Sequence, residues 1–365
     1  MLRLVYIIPE YDAASASHFY HIHELLERAS QDLDIFLVIE KGKVPPKIKN
    51  FKGIYVQRFS FPPLRFFELW VLFLYLRFKG WKNFWVHYSL YAAVAALDVN
   101  SFLGGKNFYW NCGMPWLYRR NRFHEIIFQL VMRHSTLVTG TVGMKKMYIE
   151  RYGLSEENVK VMPNWINLAR FREYQGRKKE VREALGIPEK SRIVLFVHHL
   201  SRRKGADKIL PTMKALRDVP NLLFLVAGSG PEEKHLKLST GGEETSVRFE
   251  GAVANADIPK YLAAADVFFM PSEEEGFPRV LLEAMAVGIP FVASDIGGVS
   301  EIIPEEAKKF ICAPRDVGCF SEKIRELLEK KTPQSRKVSK DFLTSFVNRY
   351  DINQVAAHFV QLVNL

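Results

Sequence analysis

The chain has 365 residues, 51 Lys and Arg against 40 Asp and Glu, a formal net charge of +11 and 48% apolar side chains. That balance excludes a disordered or fibrous chain, and the length favours two domains, because single cores stop growing at roughly 250–300 residues. Three cysteines, Cys112, Cys312 and Cys319, are too few and too scattered for a disulfide framework or a structural zinc site, so a reducing compartment is expected.

The first twelve residues, MLRLVYIIPEYD, place one basic residue before a short apolar run and then Pro9 and two acids, which reads as a β-strand and not as a signal peptide. Strands then alternate with helices: a helix around HFYHIHELLERAS, strands DIFLVIE and IYVQRF, a helix to about Lys79, and strand FWVHYS. The helix YAAVAALDV, strand NFYWNC, helix EIIFQLVMRHS and strand TLVTGT follow. The apolar run Phe66 to Leu76 contains Glu68 and is about half the length needed to span a bilayer, so no transmembrane helix is expected. A second series begins near Ser191 with RIVLFVHHL and continues through NLLFLVAG, VRFEGA, DVFFMPS, PFVASD and FICAP, with helices between. This βαβ rhythm predicts two doubly wound parallel-sheet domains facing across a cleft. The joint is expected between Pro163 and the charged run GRKKEVREAL, and a last amphipathic stretch, Asn353 to Leu365, is expected to pack back on the other domain.

The charge is unevenly distributed. Residues 1–40 carry a net −5, residues 41–150 a net +13 and residues 151–365 a net +3. The basic excess is interleaved with aromatics, as in RFFELWVLFLYLRFKGWKNFW and MPWLYRRNRF. Such a segment fits an anionic partner: nucleic acid, or the headgroup layer of an anionic membrane. Its plainer reading is a core helix with solvated cations at the rim.

In open parallel sheets, ligands collect beyond the carboxyl ends of the strands. Three C-terminal loops stand out there. In PSEEEGFPRVLLEAMAVGIP, a strand ends in acids and Gly276 and Pro278 open a helix whose first amides suit an anion. Glu275 and Glu283 bracket that helix start, which suits the hydroxyls of a sugar nucleotide whose diphosphate sits between them. The plainer reading is that Glu273, Glu274 and Glu275 favour the positive helix end. The loop SRRKG places Arg202, Arg203 and Lys204 where phosphate countercharge is needed. The loop AGSGPEE holds Gly228 and Gly230 but has Glu233 where a third glycine would complete a dinucleotide fingerprint.

Taken in order, Lys204-Gly205, Ala227 to Pro231, Val247 to Gly251, Ala264 to Ser272, Glu275-Gly276-Phe277, Glu283 to Ala286 and Gly288-Ile289-Pro290 resemble glycosyltransferase family 4, the retaining glycosyl transferases group 1. Pro163-Asn164 with Asn167 and Phe171 resembles that family's inter-domain segment. The resemblance implies a GT-B fold: an acceptor-binding Rossmann-like domain at 1–165, a donor-binding one at 166–345, and a C-terminal helix at 346–365 returning to the first. It implies a retaining, metal-independent hexosyl transfer from a nucleoside-diphosphate sugar such as a UDP or GDP sugar, with no further cofactor. The resemblance assigns Glu283 to the ribose, Glu275 to the transferred sugar, Lys204 to phosphate, and the backbone from Gly276, Phe277 and Pro278 to Arg279, Val280 and Leu281 to sugar and diphosphate.

The sequence departs from the family at three places. His199 stands where an arginine is usual, with Arg202 or Arg203 as substitutes. Ser15 and Ser17 lie in an Ala/Ser loop where a Gly-Gly turn is usual. Asn111 stands where many members have a histidine, with His18 and His87 as alternatives at other strand ends. The expected acceptor is a cell-envelope glycan or lipid-linked hydroxyl at the cytoplasmic face of the membrane, with peripheral contact to anionic lipid and no nucleic acid. The competing readings are a catalytically silent sugar-nucleotide-binding or nucleic-acid-binding protein of the same fold, and a sugar phosphorylase, which lacks an evident lysine segment for pyridoxal here.

Overall fold

Buried parallel strands read as unbroken apolar runs, because helices cover both faces of the sheet, and the runs LVYII and IVLF behave in this way. Leu4 to Ile8 and Ile193 to Phe196 have almost no solvent exposure. A computed structural model describes residues 1–11, 20–42, 50–240, 246–329 and 340–364. Ser15, Ser17 and His18 lie outside the described residues. The chain divides into two compact units, Met1–Asn164 with Ile352–Leu365, and Trp165–Asp351.

Among the described residues the N-terminal unit holds seven strands: β1 (Leu2–Ile8), β2 (Leu33–Ile39), β3 (Gly53–Val56), β4 (Asn83–His87), β5 (Lys106–Trp110), β6 (Thr136–Thr139) and β7 (Val159–Val161). Their order is β3-β2-β1-β4-β5-β6-β7, parallel throughout. The C-terminal unit holds β8 (Arg192–Val197), β9 (Leu222–Ala227), β10 (Val247–Gly251), β11 (Val267–Met270), β12 (Phe291–Ser294) and β13 (Ile311–Cys312). Their order, β10-β9-β8-β11-β12-β13, is again parallel throughout. Counted within its unit, each sheet winds 3-2-1-4-5-6, the Rossmann order, which the N-terminal sheet extends by a seventh strand, so the direction of winding switches between the first and fourth strands.

Sequence reading stops the first strand series at TLVTGT, but the fold continues. Thr141 caps a helix, Val142–Tyr152, by accepting the Met144 N–H at 3.1 Å, and Gly153 ends it in the left-handed region before β7. A three-residue strand after a weakly amphipathic helix leaves little periodicity to read. The C-terminal helix Ile352–Asn364 packs on the helix Tyr20–Ala29 within the N-terminal unit. Its Phe359 meets Trp85 edge-on at 4.7 Å.

One expectation is corrected. Cys312, at the end of β13, and Cys319, in the helix Val317–Glu329, form a disulfide. Arg315, at φ 72°, turns the intervening chain back on itself and leaves the two Cα atoms 5.9 Å apart, within bridging range. The remaining cysteine, Cys112, is buried. Burial pushes its thiol up to about 12, against a hydrogen bond from the Trp110 indole. Among the described residues no helix is long and apolar enough to cross a membrane.

Candidate active site of the C-terminal unit

The switch point of the second sheet lies between β8 and β11, and the chain leaves both strands there through polar loops. The β8 loop carries His198 to Lys204; the β11 loop carries Pro271 to Pro278. Gly205 lets the two approach. At φ 75° it occupies the left-handed region, and a Cβ there would lie 2.0 Å from the Pro271 carbonyl oxygen.

The approach joins each glutamate of the acidic run to a different cation. Glu273 accepts a bidentate pair from Arg315, at 2.8 and 2.6 Å, and lies 3.3 Å from Lys208. Glu274 lies 3.6 Å from Arg203. Glu275 accepts a 2.7 Å bond from Lys204 Nζ, whose second bond goes to the Glu274 carbonyl at 3.3 Å. Glu275 and Lys204 are both buried, 6% and 8% exposed. The acidic run is therefore a row of cross-loop pairs and not only a helix-end charge.

Two residues that sequence reading missed complete the Glu275 environment. Ser272 Oγ, fully buried, donates to Glu275 Oε1 at 2.9 Å, and His198 Nε2 lies 3.4 Å from the same oxygen. The His199 amide donates to His198 Nδ1 at 2.8 Å, which leaves Nε2 as the protonated nitrogen aimed at Glu275. Lys204, Ser272 and His198 thus converge on one oxygen, Oε1. Burial alone would raise the Glu275 pKa, but the His198 hydrogen bond and the Lys204 charge overcome it and hold the carboxyl at about 2. Burial lowers the His198 pKa against the pull of Glu275, so its imidazole is neutral near pH 7. Nothing local singled out Ser272, whose hydroxyl bonds the Glu275 side chain and caps no helix, or distinguished His198 from exposed His199.

The helix Arg279–Val287 starts directly after this loop, with Pro278 at its cap and no side-chain acceptor there. Phe277 is buried edge-on against Tyr350 at 5.7 Å, which holds the helix start in place. Glu283 is buried and lies 3.8 Å from Arg279, whose Nε also donates to the Trp165 carbonyl at 3.2 Å. Gly276 and Val280 are half-buried beside that start. Two of the sequence-predicted amides are engaged within the fold: Leu281 N–H with the Pro278 carbonyl at 3.2 Å, and Gly228 N–H with the Gly251 carbonyl at 2.7 Å. The missing Cβ of Gly228 makes room for the His198 carbonyl, 1.9 Å from where it would stand. Arg202 is exposed and lies 3.3 Å from Glu232.

Asn111 belongs to the other unit, at the end of β5. It is buried, and its Oδ1 accepts the Gly113 N–H at 3.0 Å. His87, at the end of β4, is buried with Nδ1 3.1 Å from the Tyr6 hydroxyl. Among the described residues no group of three or more His, Cys, Asp or Glu is placed to hold a metal ion.

Residues 177–341 match the family of glycosyl transferases group 1. The matched segment lies within the C-terminal unit. Bacillus subtilis TuaC, a putative teichuronic acid biosynthesis glycosyltransferase, is 32% identical over 179 residues, 49% of this chain; the match spans 44% of TuaC, less than half its length. An uncharacterized glycosyltransferase of Methanocaldococcus jannaschii, MJ1607, is 26% identical over 82% of this chain and 81% of its own. In fold, the chain resembles Anabaena Alr3699/HepE, solved in complex with UDP-glucose, with a TM-score of 0.77 at 17% identity and full coverage of each chain. The matched segment contains Lys204, Glu275 and Glu283, and the Asn111 candidate lies outside it.

Proposed function

We propose that this chain transfers a hexose, with retention and without a metal, from a nucleoside-diphosphate sugar to a hydroxyl of a cell-envelope glycan or lipid-linked acceptor. The observation that carries the reading is the buried Lys204–Glu275 pair at the switch point, directly before a helix start within the segment that matches group 1 glycosyl transferases. A lysine ammonium has three donors, and Lys204 uses two on Glu275 and Glu274. The third is left for a donor phosphate. Because its three protein donors share Oε1, Glu275 keeps Oε2 to accept a sugar hydroxyl. With its pKa at about 2, it stays an anion at neutral pH and cannot serve as a general acid. Glu283, four residues into the helix from Arg279, would accept the ribose hydroxyls.

In the proposed step, the bond from the sugar carbon to the phosphate oxygen breaks and its electron pair leaves with the diphosphate. Lys204, Arg203 and the helix start stabilise that charge. Arg203 is half-exposed and its ion pair with Glu274 is loose at 3.6 Å, so a phosphate competes for it at little cost. The acceptor oxygen bonds to the same face of the sugar, and its proton passes to the departing phosphate oxygen. Relatives support the substrate class: HepE was solved with UDP-glucose and TuaC is named for teichuronic acid biosynthesis.

The test is release of nucleoside diphosphate from labelled sugar nucleotides, after thermal-shift screening of uridine, guanosine and adenosine diphosphate sugars. Lys204→Ala is expected to slow release about 10²–10³-fold, and Glu275→Ala to slow it as well. Full turnover in both variants would refute the assignment of the site, and donor binding without turnover on any acceptor would identify a silent sugar-nucleotide-binding protein.

A further inference from the structure

A helix that is apolar all round is normally buried all round, yet the helix Pro62–Phe78 lies half on the surface. Leu69, Phe73 and Leu76 face the core. Leu64, Phe67, Val71, Tyr75 and Phe78, spaced by three or four residues, form an exposed stripe on another side, with Phe67 61% and Phe78 75% accessible. The helix Arg122–His134 carries a second exposed stripe of Phe123, Ile126 and Leu130, and Phe102, 81% accessible, ends the helix Leu90–Leu103 that packs on both. An apolar cavity of about 340 Å³ lies on this side, lined by Pro62, Phe66, Leu90, Val94, Phe123 and Ile127 among others.

The charges on this side are equally one-sided. The carboxylates between residues 51 and 140 are Glu68, Asp98 and Glu125, and all three accept bonds from within the unit. Glu68 takes the Tyr55 hydroxyl and the Arg58 and Phe59 amides, Asp98 the Trp70 indole, and Glu125 the Arg120 guanidinium and Gln129 amide. Lys79, Lys82, Arg119, Arg122 and Arg133 are exposed and have no acidic partner among the described residues. Unpaired bases stack on aromatic rings, which Leu64, Val71, Ile126 and Leu130 do not supply, so a broad face that mixes these with aromatics suits acyl chains better than nucleic acid. A second copy of the chain would bring the same positive charge to the contact.

We propose that this side of the N-terminal unit docks on an anionic lipid bilayer. The two stripes and Phe102 enter the boundary between headgroups and acyl chains, the cavity admits a hydrocarbon chain, and the five unpaired cations meet lipid phosphates. The inference uses no residue of the candidate active site and stands independently of the sugar-transfer reading.

The experiment is flotation of the full chain with vesicles of phosphatidylcholine alone or mixed about equally with phosphatidylglycerol, combined with light scattering. The wild type is expected to float with the mixed vesicles and to be monomeric without them. The double variant Phe67→Ser/Val71→Ser is expected to lower partitioning by about tenfold or more, from the apolar area lost. Lys79→Gln and Lys82→Gln are each expected to lower it roughly fivefold, and this loss is expected to shrink in high salt. Leu238→Ser, at the exposed apolar residue of the C-terminal unit, serves as the control with no effect. Because the altered side chains are exposed, melting temperatures are expected to stay at the wild-type value, which separates lost docking from lost folding. Absence of flotation with anionic vesicles, equal flotation of Phe67→Ser/Val71→Ser, or a wild-type dimer that this variant dissociates would overturn the proposal.

Discussion

The two units share one strand order and differ in what they leave at the surface. Of the eighteen large apolar side chains exposed among the described residues, Leu238 alone lies in the C-terminal unit, and fifteen fall between Phe59 and Leu130 of the other. The C-terminal unit instead concentrates polar chemistry at its switch point, with Glu274 and Glu275 paired across the β8 and β11 loops and Glu273 paired to Arg315 and Lys208. The N-terminal unit presents His87, Tyr88 and Trp110 at the ends of β4 and β5, and the His87 ring packs on theirs and on Tyr6 of β1. One winding therefore supports two kinds of surface. The difference lies in loops and outward helix faces, where the sheet places few constraints.

The largest expected effect comes from breaking the buried pair. Glu275→Ala leaves the Lys204 charge buried and unpaired, so a loss of about 3–5 kcal/mol of stability is expected in denaturant melts. Turnover is expected to fall about 10²–10³-fold with Lys204→Ala if that lysine stabilises the leaving group. Vesicle flotation should be unchanged by Lys204→Ala, which separates the roles of the two units.

Two substitutions on opposite sides of one helix sharpen the contrast next. Leu69→Ala is expected to cost about 2–5 kcal/mol because Leu69 is fully buried. Phe67→Ala is expected to fall within about 0.5 kcal/mol of wild type in the same melts. Equal losses would mean that the outward stripe is part of the core.

Gly205→Ala tests the close approach of the β8 and β11 loops. Backbone strain in the left-handed region is expected to cost about 1–3 kcal/mol, with a further cost from the contact with Pro271. Donor-induced thermal shifts should weaken along with stability.

The smallest effect is a titration. The Glu275 carboxyl is depressed from 4.5 to about 2, so its ionised form contributes stability that is fully present above about pH 4.5 and is lost as pH falls toward 2. His198→Ala removes one of the groups that lower it, so the Glu275 midpoint is expected to rise. Carboxyl-resolved NMR titration of the two proteins checks this, and an unchanged midpoint would show that His198 does not act on Glu275.

Much of the C-terminal unit was legible because its signals are local. Val, Ile and Phe runs marked the strands, Gly288 ended the helix Arg279–Val287, and the ordered motifs that resemble glycosyltransferase family 4 singled out Lys204, Glu275 and Glu283. His198 was not legible, since its value depends on β8 and β11 being neighbours despite 69 intervening residues between Val197 and Val267. Cys312 and Cys319 were read as unpaired for a related reason: the turn at Arg315 that brings them together has no glycine to announce it.

The sequence by itself determined that residues 66–76 are helical, apolar and too short to span a bilayer, and that the surrounding segment is basic. An almost uninterrupted apolar run has no periodicity, so it does not say which stripe turns inward. Only packing on the helix Leu90–Leu103 decided that Leu69 and Phe73 are core while Phe67 and Val71 face out. The same holds for the glutamates. Their presence is local, but which of them becomes a buried anion at about pKa 2 is set by His198 and Lys204, which the sheet brings to it.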